Sequence, residues 1–224
     1  MIPLRSTERV QSTTFVVGIL IAINVLIFLY QASLDPYALD QFVQHWGIVP
    51  DSISGNLQTL LTSMFLHGGW LHLLGNMLFL WVFGRNVEDL IGGGRFLAFY
   101  LCCGLAAAIL QVITNPYSRV PTIGASGAIA GVMGAYLIKF PRARIVTLVF
   151  IIIFVTTVEI PAWIMLLWWF VIQLFSGLGS LANTNYSGGG IAWFAHVGGF
   201  VTGMLLIRAF PAKRRQWRAW YEEE

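Results

Sequence analysis

The chain has 224 residues, of which 57% are hydrophobic and only 10% are charged, whereas about 25% of residues are charged in an ordinary soluble domain. This composition excludes a soluble globular protein and indicates an integral membrane protein. The formal net charge of +3 would indicate an anionic partner only if the charge were clustered, so the positions of the basic residues matter more than their sum.

Apolar stretches long enough to cross a bilayer, which takes about 20 residues, recur six times along the chain. The first stretch begins too far in and is too long for a cleaved signal peptide, and it lacks a small-residue cleavage site. We therefore predict an all-α polytopic membrane protein with six transmembrane helices. The predicted spans are residues 15–33, 69–84, 96–114, 123–140, 161–178 and 190–210.

The basic residues between these spans predict the orientation of the protein. If the N-terminus is cytoplasmic, 12 of the 13 Lys and Arg residues fall on the cytoplasmic side, and only Arg119 falls outside. An excess of basic residues in short cytoplasmic loops is the usual signal of orientation. We therefore predict that both termini are cytoplasmic. The basic tail, residues 211–224, is then a headgroup anchor on that side.

Two segments between the predicted spans are unusual. Residues 34–68, on the outer side, mix acidic with many apolar residues, so we expect this long loop to pack on the bilayer surface or dip into it. Residues 145–158 are apolar, but Glu159 and Pro161 interrupt the run before the fifth span. One helix across 145–178 would be about 50 Å long, too long for a hydrocarbon core of about 30 Å. We interpret the segment as an interfacial or re-entrant piece; a tilted helix kinked at Pro161 is the alternative.

Four polar side chains fall at a similar depth in three different spans. His72 and Asn76 share one face near the outer end of the second span, and Ser126 lies in the first turn of the fourth. His196 lies about 9 Å below the outer end of the sixth. Each alone has an ordinary structural explanation, such as a serine bonded to its own helix backbone or an asparagine that bridges helices. Ionisable groups in spans are rare and tend to mark function, so their joint occurrence favours a single polar site.

Small residues predict that the fourth and sixth spans pack closely. They recur at helical spacing as Ser126, Ala130 and Gly134 on the fourth span and as His196, Gly199 and Gly203 on the sixth. Because small residues let two helix backbones approach, these faces can bring Ser126 within hydrogen-bond reach of His196. A serine in contact with a histidine is an activated nucleophile. No carboxylate falls at that depth to complete a triad, so we predict catalysis by a Ser126–His196 dyad.

The residues around Ser126 predict where negative charge would be stabilised during such a reaction. Gly124 and Gly127 allow another backbone to approach closely, and the first turn of a helix has unpaired backbone N–H groups. With His72 and Asn76 opposite, these N–H groups are placed to hold a developing oxyanion.

Three motifs in this order resemble the rhomboid family of intramembrane serine proteases. They are His72-Leu-Leu-Gly-Asn76, Gly124-Ala-Ser126-Gly127 and Ala195-His196-Val-Gly-Gly199-Phe-Val-Thr-Gly203, joined by Val87-Glu88-Asp-Leu-Ile-Gly92 after the second span. The resemblance spans six helices, about residues 14–210, and implies that residues 1–224 form a single rhomboid-like membrane domain. It implies Ser126 as nucleophile, His196 as general base, and His72, Asn76 and the backbone at Ser126 as oxyanion contributors. His67, Gly124, Gly127, Gly199 and Gly203 have supporting roles in this interpretation.

The chain departs from the family pattern at two places. Many members carry Trp-Arg in the outer loop, where this chain has Gln58-Thr59. Some members also stack a tyrosine on the base, but the corresponding residue here is Ala130, so His196 needs another packing partner, such as Trp193 or a residue of the second span. Neither departure affects the dyad, so we expect an active enzyme.

The resemblance implies a serine-type endopeptidase without a cofactor that cleaves single-span transmembrane proteins. A helical backbone hides its carbonyl groups, so the substrate has to unwind locally. The expected partners are such substrates and membrane lipids, with no nucleic acid; the oligomeric state is not predicted. Since no transit peptide is visible, we place the protein in a prokaryotic cell (inner) membrane with its active site facing the outer side. We also expect the fifth span and the glycine-rich loop Ser187–Gly190 to form a mobile gate.

Two other function classes stay open at this point. A small transporter or proton-coupled channel would use His72 and His196 as relay groups, but the chain shows no inverted repeat. A non-catalytic binder of membrane helices usually lacks the nucleophile or the base, and this chain has both. A metal site made by His67, His72 and His196 has no carboxylate or thiolate at the same depth, so we predict none.

Overall fold

The computed structural model describes residues 2–151, 154–182 and 192–213. Within these ranges the helices are α1 Phe15–Ser33, α2 Pro36–Trp46, α3 Thr59–Thr62, α4 Trp70–Phe79, α5 Arg85–Ile91, α6 Gly93–Thr114, α7 Ser126–Lys139, α8 Ala162–Ala182 and α9 Trp193–Leu206. The strands are β1 Ile2–Ser6, β2 Arg144–Ile151 and β3 Phe154–Pro161. A π-helical turn, Leu80–Gly84, joins α4 to α5.

An apolar helix lies in the described part of each of the six predicted segments, but not all of these helices are long enough to cross a membrane. Among the described residues, α1, α6 and residues 162–179 of α8 are long and apolar enough to cross a membrane. The helical pair Thr59–Phe65 and Trp70–Ile91, bent by 95°, makes a fourth if it is counted as one span. Both α7 and α9 are apolar but shorter. The chain is therefore a mainly helical integral membrane protein, as its composition predicts.

A three-stranded antiparallel sheet corrects the prediction of an all-α fold. Its strand order is β1-β2-β3. Residues 145–151 belong to β2 and residues 154–158 to β3, so the alternative of a helix kinked at Pro161 is wrong; Pro161 ends β3 directly before α8 begins. Runs of Ile, Val, Thr and Phe favour strands, and β1 gives β2 a second partner. Hydropathy alone does not distinguish such a strand from a short apolar helix.

A buried carboxylate joins the start of α1 to α5. Glu88 accepts hydrogen bonds from the backbone N–H groups of Val16 at 2.9 Å and Val17 at 2.8 Å, which lie in the first turn of α1 and have no partner within that helix. The next residue, Asp89, accepts from the backbone of Ser12 at 2.9 Å and from its hydroxyl. A negative charge at a helix N-terminus is also favoured by the helix dipole. The Val87–Gly92 motif thus fixes the N-terminal segment to the bundle.

The segment 34–68 is folded and is tied to α1 by a buried amide. The Gln31 side chain accepts a hydrogen bond from the backbone N–H of His67 at 3.0 Å and donates one to the His67 carbonyl at 3.2 Å. Both residues are buried. This exchange fixes the turn between α3 and α4, directly before the helix that carries His72.

Threonine hydroxyls hold the part of this segment where many rhomboids carry Trp-Arg. Thr59 donates its hydroxyl to the carbonyl of Asn56, and Thr62 donates to the carbonyl of Trp46, both at 2.7 Å. Thr59 is buried, so its hydroxyl needs this partner. Short hydrogen bonds of the segment's own side chains therefore stabilise the loop that contains Gln58-Thr59.

The core of the bundle is α7, and glycines let α9 lie directly against it. Every residue of α7 from Gly127 to Tyr136 is buried. A Cβ added to Gly199 would lie 1.9 Å from the carbonyl oxygen of Gly127, and one added to Gly203 would lie 1.9 Å from that of Gly131. The residues of α7 that lie closest to α9 are therefore Gly127 and Gly131, each one position after the predicted contact residues Ser126 and Ala130. It places the first turns of α7 and α9 side by side.

Candidate active site

The first turns of α7 and α9 bring Ser126 and His196 into hydrogen-bond contact. Ser126 is the first residue of α7, and its Oγ lies 2.7 Å from Nε2 of His196, which is one turn into α9. His196 is buried, whereas Ser126 is partly exposed. The contact follows from the glycine packing, because any larger residue at Gly199 would separate the two backbones.

The other nitrogen of His196 contacts a residue that we did not predict. Its Nδ1 lies 2.6 Å from Oε1 of Gln173, a buried residue of α8. An amide oxygen can only accept, so Nδ1 carries the proton and the neutral ring presents the lone pair of Nε2 to Ser126. The triad pattern requires a carboxylate at this place, so Gln173 is not among the residues predicted from the sequence. The signal was an amide inside a 21-residue apolar helix, where polar side chains tend to mark function.

Two tryptophan rings pack on His196. The ring of Trp169 in α8 lies 5.6 Å from that of His196, tilted by 39°, and the ring of Trp193 lies 6.5 Å away, edge-on. Of the two alternatives that the sequence suggested, Trp193 or a residue of the second span, Trp193 packs on His196; the contact from Trp169 of α8 was not predicted.

His72 directs a donor towards the space beside Ser126. Its Nδ1 accepts a hydrogen bond from the backbone N–H of Gly68 at 3.3 Å, so in the neutral ring the proton is on Nε2. A Cβ built on Gly124 would lie 2.8 Å from this Nε2 and 3.7 Å from the Oγ of Ser126. Gly124 has a φ of +129°, a conformation that side chains disfavour. Because Gly124 has no side chain, the space that lies within reach of both the Ser126 hydroxyl and the His72 N–H stays open.

Asn76 is a buried residue with an unused donor. Its Nδ2 has no hydrogen-bond partner in the part of the chain that the structure describes. Leaving a buried donor unpaired is costly, and native structures rarely do so without a reason. A donor aimed at charge that develops only during a reaction is unpaired in the resting enzyme.

A cavity of about 670 Å³ connects these residues and lies among α4, α7, α8 and α9. Ser126, His196, His72 and Asn76 line it, and its other lining residues are mainly apolar, including Leu71, Phe79, Met133 and Trp169. Its size is within the usual range of ligand sites, about 300–1,000 Å³. An apolar cavity that contains a few polar groups suits an extended apolar peptide.

His67 lies behind His72, in the segment before α4. Its ring is 5.1 Å from that of His72, and neither ring nitrogen has a hydrogen-bond partner among the described residues. Burial, and to a smaller extent His72, lowers the pKa of His67 to about 4, so this ring is neutral at physiological pH. Within the same residues no group of three or more His, Cys, Asp or Glu side chains is placed to hold a metal ion.

Comparisons with known proteins match the sequence to one family. A family model described as the Rhomboid domain matches residues 54–212. Rhomboid protein 1, mitochondrial, of Saccharomyces cerevisiae is 29% identical over 207 residues, 89% of this chain and 55% of that protein. Rhomboid protease GluP of Bacillus subtilis is 46% identical over 83 residues, 37% of this chain and 16% of that protein. Presenilin-associated rhomboid-like protein, mitochondrial, of Bos taurus is 34% identical over 90 residues, 38% of this chain and 23% of that protein. The chain therefore spans about half, or less, of the length of these relatives.

Proposed function

Since the chain belongs to the rhomboid family, we propose that it is an intramembrane serine endopeptidase that cleaves transmembrane proteins with a Ser126–His196 dyad. The observation that carries this proposal is the 2.7 Å contact between Ser126 Oγ and His196 Nε2 at the edge of a cavity. The name of the Bacillus subtilis relative, a rhomboid protease, supports the same reaction class.

The proposed reaction begins when His196 Nε2 takes the proton of the Ser126 hydroxyl as Oγ attacks a substrate carbonyl carbon. The carbonyl oxygen becomes an oxyanion, for which His72, Asn76 and the backbone N–H of Ser126 are the nearby donors. His196 then returns the proton to the leaving amine as the C–N bond breaks, which leaves an ester on Ser126. A water molecule deprotonated by His196 attacks this ester, and as the C–O bond to Ser126 breaks, His196 returns the proton to Ser126 Oγ and the second product leaves as a carboxylic acid.

The cavity supports access to the site from within the membrane. Its walls come from α4 on one side and from Trp169 of α8 on the other, so a substrate segment that enters between these helices meets Ser126 directly. A helical segment must first unwind, since its carbonyl groups are hydrogen-bonded within the helix. We propose that α8 moves to admit it. The other part of the predicted gate, Ser187–Gly190, lies outside the described residues.

A reversible cross-link between α8 and α9 tests this gate. A Cβ built on Gly177 lies 3.2 Å from the Cβ of Trp193, close to the spacing of a disulfide. In a Gly177→Cys/Trp193→Cys chain with the exposed Cys102 replaced by Ser, oxidation should stop cleavage of a single-span membrane reporter, and reduction should restore it. The reduced protein is the matched control. Equal cleavage by the oxidised and reduced forms would rule out movement of α8 as the gate.

We further propose that residues 1–224 form one membrane domain with six spans, both termini cytoplasmic and the site facing the outer side. The pairing of β1 with β2 supports placing the N-terminus and the segment after α7 on the same side of the membrane. The backbone bridge between Ile48 and Thr122 supports placing the segment before α4 and the segment before α7 together, on the opposite side of the membrane. The distribution of basic residues favours the cytoplasm for the β1 side, in a prokaryotic cell membrane. Labelling of single cysteines at Ser6 and Tyr117 in intact and opened cells distinguishes the two orientations.

The proposed chemistry is tested by a fluorophosphonate probe, which reacts with activated serines regardless of substrate. The wild-type protein in detergent should be labelled, and both Ser126→Ala and His196→Ala should lose labelling while remaining folded. Labelling that persists in Ser126→Ala would place the reactive serine elsewhere. A folded wild-type protein that is not labelled would contradict the proposed dyad.

A further inference from the structure

His196 is held by side chains from two other helices, one on each ring nitrogen. Nε2 contacts Ser126 of α7, and Nδ1 donates to Oε1 of Gln173 in α8 at 2.6 Å. Both His196 and Gln173 are buried in apolar surroundings, where an unpaired N–H is costly. The side chain of Gln173 therefore meets the hydrogen-bonding requirement of the ring nitrogen that faces away from the nucleophile.

This contact decides which tautomer of the neutral ring is stable. With an acceptor at Nδ1, the proton is on Nδ1 and Nε2 is free to take the serine proton. Without one, the tautomer with the proton on Nε2 becomes accessible, and that tautomer cannot act as the base. Because an amide stays uncharged, it orients the imidazole but balances its positive charge less well than the carboxylate of a triad does.

The same helix supplies a second contact to His196. Trp169 lies four residues before Gln173, on the same face of α8, and its ring packs on the imidazole. The side chain of Ile172, adjacent in sequence, is exposed instead. If α8 moves away from α9 to admit a substrate, His196 loses its hydrogen-bond acceptor and its packing partner together.

We propose that Gln173 is a positioning residue through which α8 orients the general base, so that His196 is held in its reactive tautomer only while α8 lies against α9. The inference rests on the proposed protease function and adds a third residue to its dyad. In this arrangement the site is reactive when α8 has closed again, after the substrate has entered.

Three substitutions of Gln173 separate hydrogen bonding from packing. Gln173→Met keeps the length and shape but removes the acceptor, Gln173→Asn keeps the amide but withdraws it by one methylene, and Gln173→Glu keeps an oxygen at the same reach. Ile172→Met, on the neighbouring exposed position, is the matched control. The rate and binding constants for inactivation by a fluorophosphonate probe, kinact and KI, are measured for each folded variant.

Gln173→Met and Gln173→Asn should lower kinact by about 10- to 100-fold with little change in KI, as loss of one buried hydrogen bond to the base predicts. Gln173→Glu keeps the acceptor and adds a charge that balances the imidazolium, so it should match or exceed the wild type, and Ile172→Met should stay close to the wild type. The tautomer itself is read in ¹⁵N-histidine-labelled protein carrying Ser126→Ala, in which Nδ1 of His196 should be protonated with Gln173 and lose that preference with Met.

Two results would overturn the inference while the dyad stands. One is Gln173→Met with the kinact of the wild type. The other is an equal loss in Gln173→Met and Gln173→Glu, which would mean that Gln173 acts through packing. If the Ser126→Ala protein still reacts with the probe, the proposed function is contradicted, and this inference with it.

Discussion

Two groups of polar side chains lie near opposite ends of the α4–α5 helix: His72, beside one group, and Glu88, in the other, are about 24 Å apart at 1.5 Å per residue. In the first, which we call the Glu88 cluster, Glu88 and Asp89 accept hydrogen bonds from backbone N–H groups in and just before the first turn of α1. In the second, the Ser126 cluster, Ser126, His196 and Gln173 bond to one another through side chains. Its neighbour Asn76 keeps an unpaired donor among the described residues.

The difference between the clusters separates a structural from a reactive arrangement. A carboxylate that accepts from backbone N–H groups at a helix N-terminus is fixed in place and stabilises the fold. The Ser126 cluster instead combines a hydroxyl, a base and an unused donor at the wall of a cavity, so its remaining hydrogen-bonding capacity is directed towards a ligand. Polar residues in an apolar bundle are therefore informative only together with their partners.

The largest effect is expected from a substitution that separates the two helices of the Ser126 cluster. In Gly199→Ala the new Cβ would lie 1.9 Å from the carbonyl oxygen of Gly127, a backbone atom that cannot move without α7. We expect fluorophosphonate labelling to be lost and the free energy of unfolding to fall by at least about 3 kcal/mol. Gly18→Ala in α1 is the control, because no atom of the other described elements lies within 4 Å of the added Cβ, and it should leave both unchanged or slightly raise stability. Normal labelling of Gly199→Ala would contradict the close packing.

The second-largest effect is expected from a substitution that lowers catalysis but not stability. Asn76→Ala removes a donor that has no partner in the described resting structure, so we expect kcat towards a membrane reporter to fall about 10²- to 10³-fold. The free energy of unfolding should not fall, because no existing hydrogen bond of Nδ2 is lost. Leu74→Ala, an exposed position on the same helix, controls for truncation. A variant with normal kcat and lower stability would assign Asn76 to the structural group.

The Glu88 cluster should give the opposite result. Glu88→Ala leaves the N–H groups of Val16 and Val17 unpaired, so we expect the free energy of unfolding to fall by about 2–4 kcal/mol. Labelling per folded molecule should stay unchanged, because no residue of the Ser126 cluster is touched. Glu88→Gln, which keeps one acceptor oxygen, should show a smaller loss in thermal unfolding. Loss of labelling in a fully folded Glu88→Ala protein would show that the two clusters are coupled.

The contact between Ser126 and His196 is easier to predict from the sequence than the surroundings of His196, because the signals for this contact are local. Depth follows from the constant rise of a helix, and the spacing of Gly199 and Gly203 indicates a face that admits another backbone. The partner of His196 in α8 depends on how that helix is rotated about its axis, which its nearly uniform apolar sequence does not encode. The sequence therefore shows that Gln173 is a polar residue in an apolar helix, but it does not show that Gln173 contacts His196.

The sheet was missed for a different reason. Residues 145–158 are too short and too evenly apolar for periodicity to separate a strand from a helix segment. Their β-branched content favours strands, but the pairing that stabilises them comes from β1, at the other end of the sequence. Ser6 at the end of β1 also contacts the hydroxyl of Tyr136 in α7 at 2.5 Å. Contacts this distant in sequence leave no local pattern.

The smallest effect is expected at the ion pair between Arg119 and Asp51, which joins the two outer segments near the Ser126 cluster. The contact is 3.1 Å, but the side chains are 87% and 38% exposed, and exposed pairs contribute at most about 1 kcal/mol. The backbone bridge between Ile48 and Thr122 holds the same segments and does not depend on charge. Arg119→Gln should therefore change the unfolding temperature only slightly, and less at high salt, with unchanged labelling. A marked loss of labelling would mean that this charge pair, and not the backbone bridge, positions Gly124 against His72.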